Sequence, residues 1–162
     1  MAMLEVKVEG LALDMTTNSP VIILSPLDVN KVLPIWIGHS EAWAIATELS
    51  GVASKRPMTH DLLKTVIMTL SARLERVEIT ELREQTFYAQ VLLVSNGNSF
   101  TIDARPSDSI ALALKLKAPI YAEEALFNLK QTEPSSDVSN DPESLADRLR
   151  KINPEDFGKY SL

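Results

Sequence analysis

The chain has 162 residues, 45% of them hydrophobic and 23% charged, which suits a single domain able to bury a core. It contains no cysteine, so disulfides, cysteine-ligated zinc or iron–sulfur centres and a thiol nucleophile are all excluded. The formal net charge of −6 argues against binding a polyanion through an overall basic surface, although carboxylates holding a divalent metal can still act on a phosphodiester.

The amino-terminal residues lack a basic segment followed by an apolar run, and no apolar stretch approaches bilayer length. A cytoplasmic protein with no membrane contact is therefore expected. Residues Leu4–Leu13 alternate apolar and polar, the pattern of a half-buried strand, with a slip at Gly10 that suggests a bulge. Thr16–Pro20 reads as a turn, Val21–Leu24 as a short apolar strand, and Val32–Ile37 as a third strand. Pro34 has no donor N–H, which places that strand at an edge or a bulge. A helix then opens at Gly38-His39-Ser40, with Ser40 as the expected N-cap, Glu41 near the positive end of the helix dipole, and Gly51 as the stop.

The spacing of Leu62, Leu63, Val66, Ile67, Leu70 and Leu74 predicts an amphipathic helix from Thr59, its expected N-cap, to Leu74. Val77–Leu82 and Phe87–Val94 read as strands. Asn96-Gly97 signals a hairpin into a partner strand at Phe100–Ala104. Pro106-Ser107-Asp108 opens a third helix running to Lys117, apolar nearly all round and so expected to be buried. A short strand at Ala118–Tyr121 and a short helix at Glu123–Leu129 follow. These elements give a main domain over residues 1–130. Residues 131–142, rich in Ser, Asp, Asn and Pro, read as a linker, and residues 143–162 as a helical tail carrying Leu145, Leu149 and Ile152.

Two stretches align without a gap. Ile35–Ala46 and Ile102–Ala113 each run from a strand end through a short turn, a Ser-acid pair and an Ala-rich helix. The expected fold is therefore α+β, a mixed and mainly antiparallel sheet with packed helices, built from two strand–hairpin–helix repeats and followed by the helical tail. If the repeats are related by a pseudo-two-fold axis, the groove between their Ser-acid turns is the natural ligand site.

Three clusters carry side chains suited to chemistry. In Asp103-Ala-Arg105-Pro-Ser107-Asp108, the two carboxylates suit Mg2+ or Mn2+ and the planar Arg105 fork suits a phosphate. In Arg56-Pro-Met-Thr59-His60-Asp61, His60 suits a general base or acid. In Gly38-His39-Ser40-Glu41, Glu41 offers a further carboxylate opposite Asp108 if the repeats meet. Each cluster also has a plain structural account as a capped helix start, with Asp103 paired to Arg105. Trp36 and Trp43 suit stacking on a base or, equally, a place in the core.

The stretches Leu33–Gly38 with Glu41-Ala42 and Ala44-Ile45, Arg56–Leu63, and Asp103–Ala113 occur in an order that resembles the bifunctional nuclease domain family, over roughly Leu4 to Leu129. Ser109 departs from the familiar form, which has Ala. The resemblance implies cleavage of DNA and RNA with little sequence preference. On chemical grounds His60, Asp61, Asp103 and Asp108 are then the catalytic candidates. Arg56, Arg105 and Ser107 would bind substrate, and Asp103, Asp108 and Glu41 would hold Mg2+ or Mn2+. A homodimer is expected from base rates. The competing reading is a non-catalytic regulatory module that binds nucleic acid, a small ligand or a protein partner in the inter-repeat groove.

Overall fold

A computed structural model describes residues 2–128. The expected linker and tail, residues 131–142 and 143–162, lie outside the described residues. In chain order the elements are strands β1 (Met3–Asp14), β2 (Ser19–Pro26) and β3 (Leu33–Trp36), helices α1 (His39–Ser50) and α2 (Thr59–Thr69), and strands β4 (Ala72–Arg83), β5 (Thr86–Ser95) and β6 (Asn98–Ala104). Helix α3 (Pro106–Leu116), strand β7 (Ile120–Glu123) and a 3-10 turn at Glu124–Asn128 are the last elements of the described residues.

All seven strands form one sheet in the order β3-β2-β1-β7-β4-β5-β6. Among the described residues only β4 and β7 pair in parallel, so the sheet is mixed and mainly antiparallel, and the class is α+β. Two stretches are three-stranded antiparallel meanders followed by a helix: β1–β2–β3–α1 and β4–β5–β6–α3. Strand β7 stitches the two meanders together. The register of β1 against β2 slips between Val8 and Gly10, where the alternation breaks. Pro34 sits on the edge strand β3, where its missing N–H deprives no neighbour. Asn96 and Gly97 both take positive φ, at 51° and 78°, in the tight turn between β5 and β6.

The helices cover one face of the sheet. Helix α3 is central: it packs on α1, α2, β4 and β5, and Ile110, Ala111, Leu112 and Ala113 are buried. Ile22, Leu24, Ile35, Ile45, Val77 and Ile79 complete the core beneath and beside it. On the opposite face a smaller cluster joins Ala12, Val21 and Ile23 to Val32 and Trp36. Trp36 donates its indole N–H to Asp14 at 2.9 Å. Burial pushes the Asp14 carboxyl up, but this bond and those from Thr16 and Thr17 outweigh it and hold the group below its ordinary value.

Three expectations need correction. Helix α2 ends at Thr69, not Leu74, because Ser71 turns at φ 58° and Ala72 enters β4, so Leu74 belongs to the sheet. Of the apolar stripe on α2 only Ile67 is buried; Leu62, Leu63, Val66 and Leu70 are exposed. The helix starts also differ. The N-cap positions are Gly38, Met58 and Arg105, so Ser40, Thr59 and Ser107 already lie within the first turns and cap nothing. Proline is favoured at the first helical position, and Pro106 takes it in α3, which shifts the cap back to Arg105. Gly51 does end α1, at φ 73°, in the left-handed region that a side chain resists.

Candidate active site

A cleft of about 730 Å³ opens between α1, the loop after it, the start of α2 and the start of α3. Helix α1 supplies Glu41 and Glu48, α2 supplies His60 and Asp61, and α3 supplies Asp108 and Lys115, with Arg105 at its N-cap. With Lys55, three fixed cations face four carboxylates across this space.

Two ionic clusters organise the cleft walls. In the first, Arg105 donates Nε to Asp108 Oδ2 at 2.9 Å and reaches Glu41 Oε1 from Nη2 at 2.8 Å. The other Asp108 oxygen lies 2.9 Å from His60 Nε2. An ionised carboxylate can only accept, so His60 Nε2 carries the proton and Nδ1 is left as the basic nitrogen of the neutral ring. His60 itself is buried, at 9% exposure. Burial pushes the Asp108 carboxyl up, yet the bonds from Arg105 and His60 outweigh it and hold the group below its ordinary value. The bonds to Asp108 and Glu41 in turn raise the Arg105 guanidinium further.

In the second cluster, Lys115 Nζ donates to Asp61 Oδ1 at 2.7 Å and to Glu48 Oε2 at 3.1 Å. Its side chain is only 9% exposed. Burial disfavours the ammonium, but the two carboxylates more than compensate and raise its value. Asp61 is engaged on its other oxygen too, where Oδ2 accepts the Met58 backbone N–H at 2.9 Å. The Lys115 bond, then the Met58 bond, hold the Asp61 carboxyl below the ordinary range. This carboxylate thus satisfies an orphan N–H of α2 while tying that helix to α3.

The structure brings together Glu41, His60, Asp61, Arg105 and Asp108 from the sequence-predicted set, and the two Ser-acid turns meet because α1 and α3 pack on each other. It does not bring in the other three. Asp103 is exposed on β6 and outside the cleft, and Arg105 turns to Asp108 and Glu41 instead of to it. Arg56 is exposed in the loop before α2 and does not line the cleft, whereas Lys55 does. Ser107 is buried beneath the start of α3. Ser109, fully buried, donates its hydroxyl to the Arg105 carbonyl at 3.0 Å, so it braces the residue that holds Asp108. Trp36 lies on the far face of the sheet.

Three site residues escape local patterning. Lys115, in the last turn of α3, reads as a complement to the helix dipole, and its partners are 54 and 67 residues away in sequence. Glu48 has no motif around it. Gly38 lies so close to the folded-back Glu41 carboxylate that a Cβ there would collide with it.

Comparison with known proteins decides the family. The bifunctional nuclease domain matches residues 22–135. The chain belongs to the bifunctional nuclease domain family. An uncharacterized protein of Mycobacterium tuberculosis, Rv1829, is 40% identical over 94% of this chain and 97% of its own length. Bifunctional nuclease 1 of Arabidopsis thaliana is 26% identical over 66% of this chain, which corresponds to 34% of the plant protein. Bifunctional nuclease 2 of Oryza sativa subsp. japonica is 25% identical over 73% of this chain and 38% of its own length. This family member thus spans about a third of the plant nucleases it resembles. Among the described residues no helix is long and apolar enough to cross a membrane.

Proposed function

We propose that this chain hydrolyses phosphodiester bonds of DNA and RNA, with little sequence preference, in the cleft between α1, α2 and α3. One observation carries the reading: a buried histidine is hydrogen-bonded to a carboxylate at the wall of a cleft that also presents Arg105 and Lys115. Membership of the bifunctional nuclease domain family supports a nucleic-acid substrate.

In this mechanism Asp108 fixes the His60 tautomer, and Nδ1 takes a proton from the attacking water. The imidazolium that forms is stabilised by Asp108 and releases its proton to solvent, while the leaving oxygen, on the opposite side of the phosphorus, is protonated from solvent. Arg105 spends two of its N–H donors on Asp108 and Glu41 and directs the rest of its fork at the non-bridging phosphate oxygens, where charge builds in the transition state. Lys115 holds Asp61 and Glu48 in place and so sets the width of the cleft. No step requires a 2′-hydroxyl, which is why both nucleic acids are substrates.

Mg2+ commonly takes one or two protein carboxylates and completes its shell with substrate phosphates. Glu41 and Asp108 are the cleft carboxylates nearest to such a role, but both already accept from Arg105, so Mg2+ or Mn2+ held by this pair would take the place of the guanidinium there and free its fork for the phosphate. Among the described residues no three His, Asp or Glu side chains form a metal cage, so Asp103 does not join them. A bound ion would supply positive charge to a phosphate oxygen.

The test is cleavage of labelled single-stranded and duplex DNA and RNA by the full chain, with Mg2+, Mn2+ or EDTA, beside Asp108→Asn purified identically. Cleavage by the wild type that falls by roughly 100-fold or more in the folded variant supports the proposal. Equal cleavage by both overturns it. Salt-dependent binding without turnover would favour the regulatory module instead, a reading supported by the pairing of Arg105 and Lys115 with carboxylates.

A further inference from the structure

Among the described residues strands β3 and β6 are the two edges of the sheet, and they differ in kind. β3 is four residues long and carries Pro34. β6 is seven residues long and has neither proline nor lysine, and its register against β5 has no bulge. Of the devices that normally blunt an exposed edge it carries a single charge, Asp103.

The surface beside that edge is apolar. Phe100 pairs with Leu93, and Ile102 with Val91, so both lie on the helix-covered face of the sheet. Among the described residues no helix packs closely on β6, and the two side chains are 49% and 47% exposed. On α2, buried Ile67 and His60 point inward and Asp61 and Thr65 line the cleft on one flank. At about 100° per residue, Leu62, Leu63, Val66 and Leu70 gather on the opposite flank. Helix α3 packs on both α1 and α2, and α1 lies over β2 while α2 packs on β4, so the flank of α2 away from the cleft also faces away from α1. Its four side chains are 59%, 41%, 43% and 68% exposed.

We propose that β6 and this flank of α2 form a homodimer interface, with β6 pairing antiparallel to β6 of a second copy across a two-fold axis at Thr101. The strand is complementary to itself in that register. Phe100 stands opposite Ile102 of the partner subunit, Asn98 opposite the partner's Ala104, and Asp103, the only charge in β6, opposite the partner's Ser99. The six apolar side chains offer about 550 Å² per protomer, against about 800 Å² per partner in a standard interface, and the strand backbone and polar side chains supply the remainder.

The test uses the absence of cysteine in the full chain. Antiparallel pairing about Thr101 brings its two Cα atoms to roughly 4.5–5.5 Å, within disulfide reach, whereas two Asn98 residues stand roughly 20 Å apart. Wild type should sediment as a dimer. Oxidised Thr101→Cys should become a covalent dimer while Asn98→Cys does not, and the double substitution Phe100→Glu with Ile102→Glu should give a monomer with native circular dichroism. A wild type that stays monomeric at its highest soluble concentration overturns the proposal. So does a dimer that Thr101→Cys fails to cross-link, or one that survives the double substitution.

Discussion

Replacing Lys115 by methionine isolates the charge that ties α2 to α1. The hydrocarbon stem is kept, so the packing loss is small, but Asp61 and Glu48 lose their shared cation. Removing one partner of a fully buried ion pair costs about 3–5 kcal/mol, because a charge is left without a counterpart. Here the cation is 9% exposed, but the carboxylates are 33% and 34% exposed. They recover part of their hydration, which brings the expected cost to about 2–3 kcal/mol. For a chain of this size that lowers Tm by about 5–10 °C. The loss also has a pH signature. Lys115 holds Asp61 below its ordinary value of 3.8, so the stability it confers is present above that value and is lost as pH falls through the depressed one. Urea unfolding of wild type and Lys115→Met at pH 7 and near pH 3 should show a gap that narrows in acid. A gap below about 0.5 kcal/mol at pH 7, or one equal at both pH values, would refute the assignment of Lys115 as the clamp.

Other perturbations follow from the same geometry. Gly38→Ala should push the flexible Glu41 carboxylate off Arg105, lowering cleavage about tenfold while leaving the urea midpoint almost unchanged; unaltered cleavage would remove Glu41 from the site. Ile45→Ala, at a fully buried position in α1 facing the sheet, should cost about 2–5 kcal/mol in the same unfolding assay. Asp108→Asn should flatten the acid limb of the stability curve. The wild-type carboxyl is held below 3.8 and contributes stability above that value that vanishes as pH falls through the lowered one. Gly51→Ala should destabilise by about 1 kcal/mol, because φ 73° disfavours any Cβ.

Much of this molecule is legible in local pattern. Alternation marks β1 and its slip at Gly10, Asn96-Gly97 marks the β5–β6 turn, and Pro34 marks an edge, because each signal acts within a few residues. The internal similarity around Ser40-Glu41 and Ser107-Asp108 also foretells that Glu41 and Asp108 converge, through the packing of α1 on α3. Periodicity fails where it must be told what covers a face. The stripe on α2 is real, yet Leu62, Leu63, Val66 and Leu70 lie outside the core of the chain. Proximity in sequence misleads at Asp103, two residues from Arg105 but on a strand that points it away from the cleft. The Lys115 clamp is invisible for the opposite reason: its partners come from two other helices.

The central claim is that the His60–Asp108 pair carries hydrolysis. Single-turnover cleavage of one labelled oligonucleotide, with protein in excess, by wild type and His60→Gln tests it most directly, with anisotropy on the same oligonucleotide reporting binding. The account predicts a cleavage rate lower by about 10²–10⁴-fold with affinity within a few-fold of wild type. A rate unchanged in a folded, binding-competent His60→Gln would contradict it.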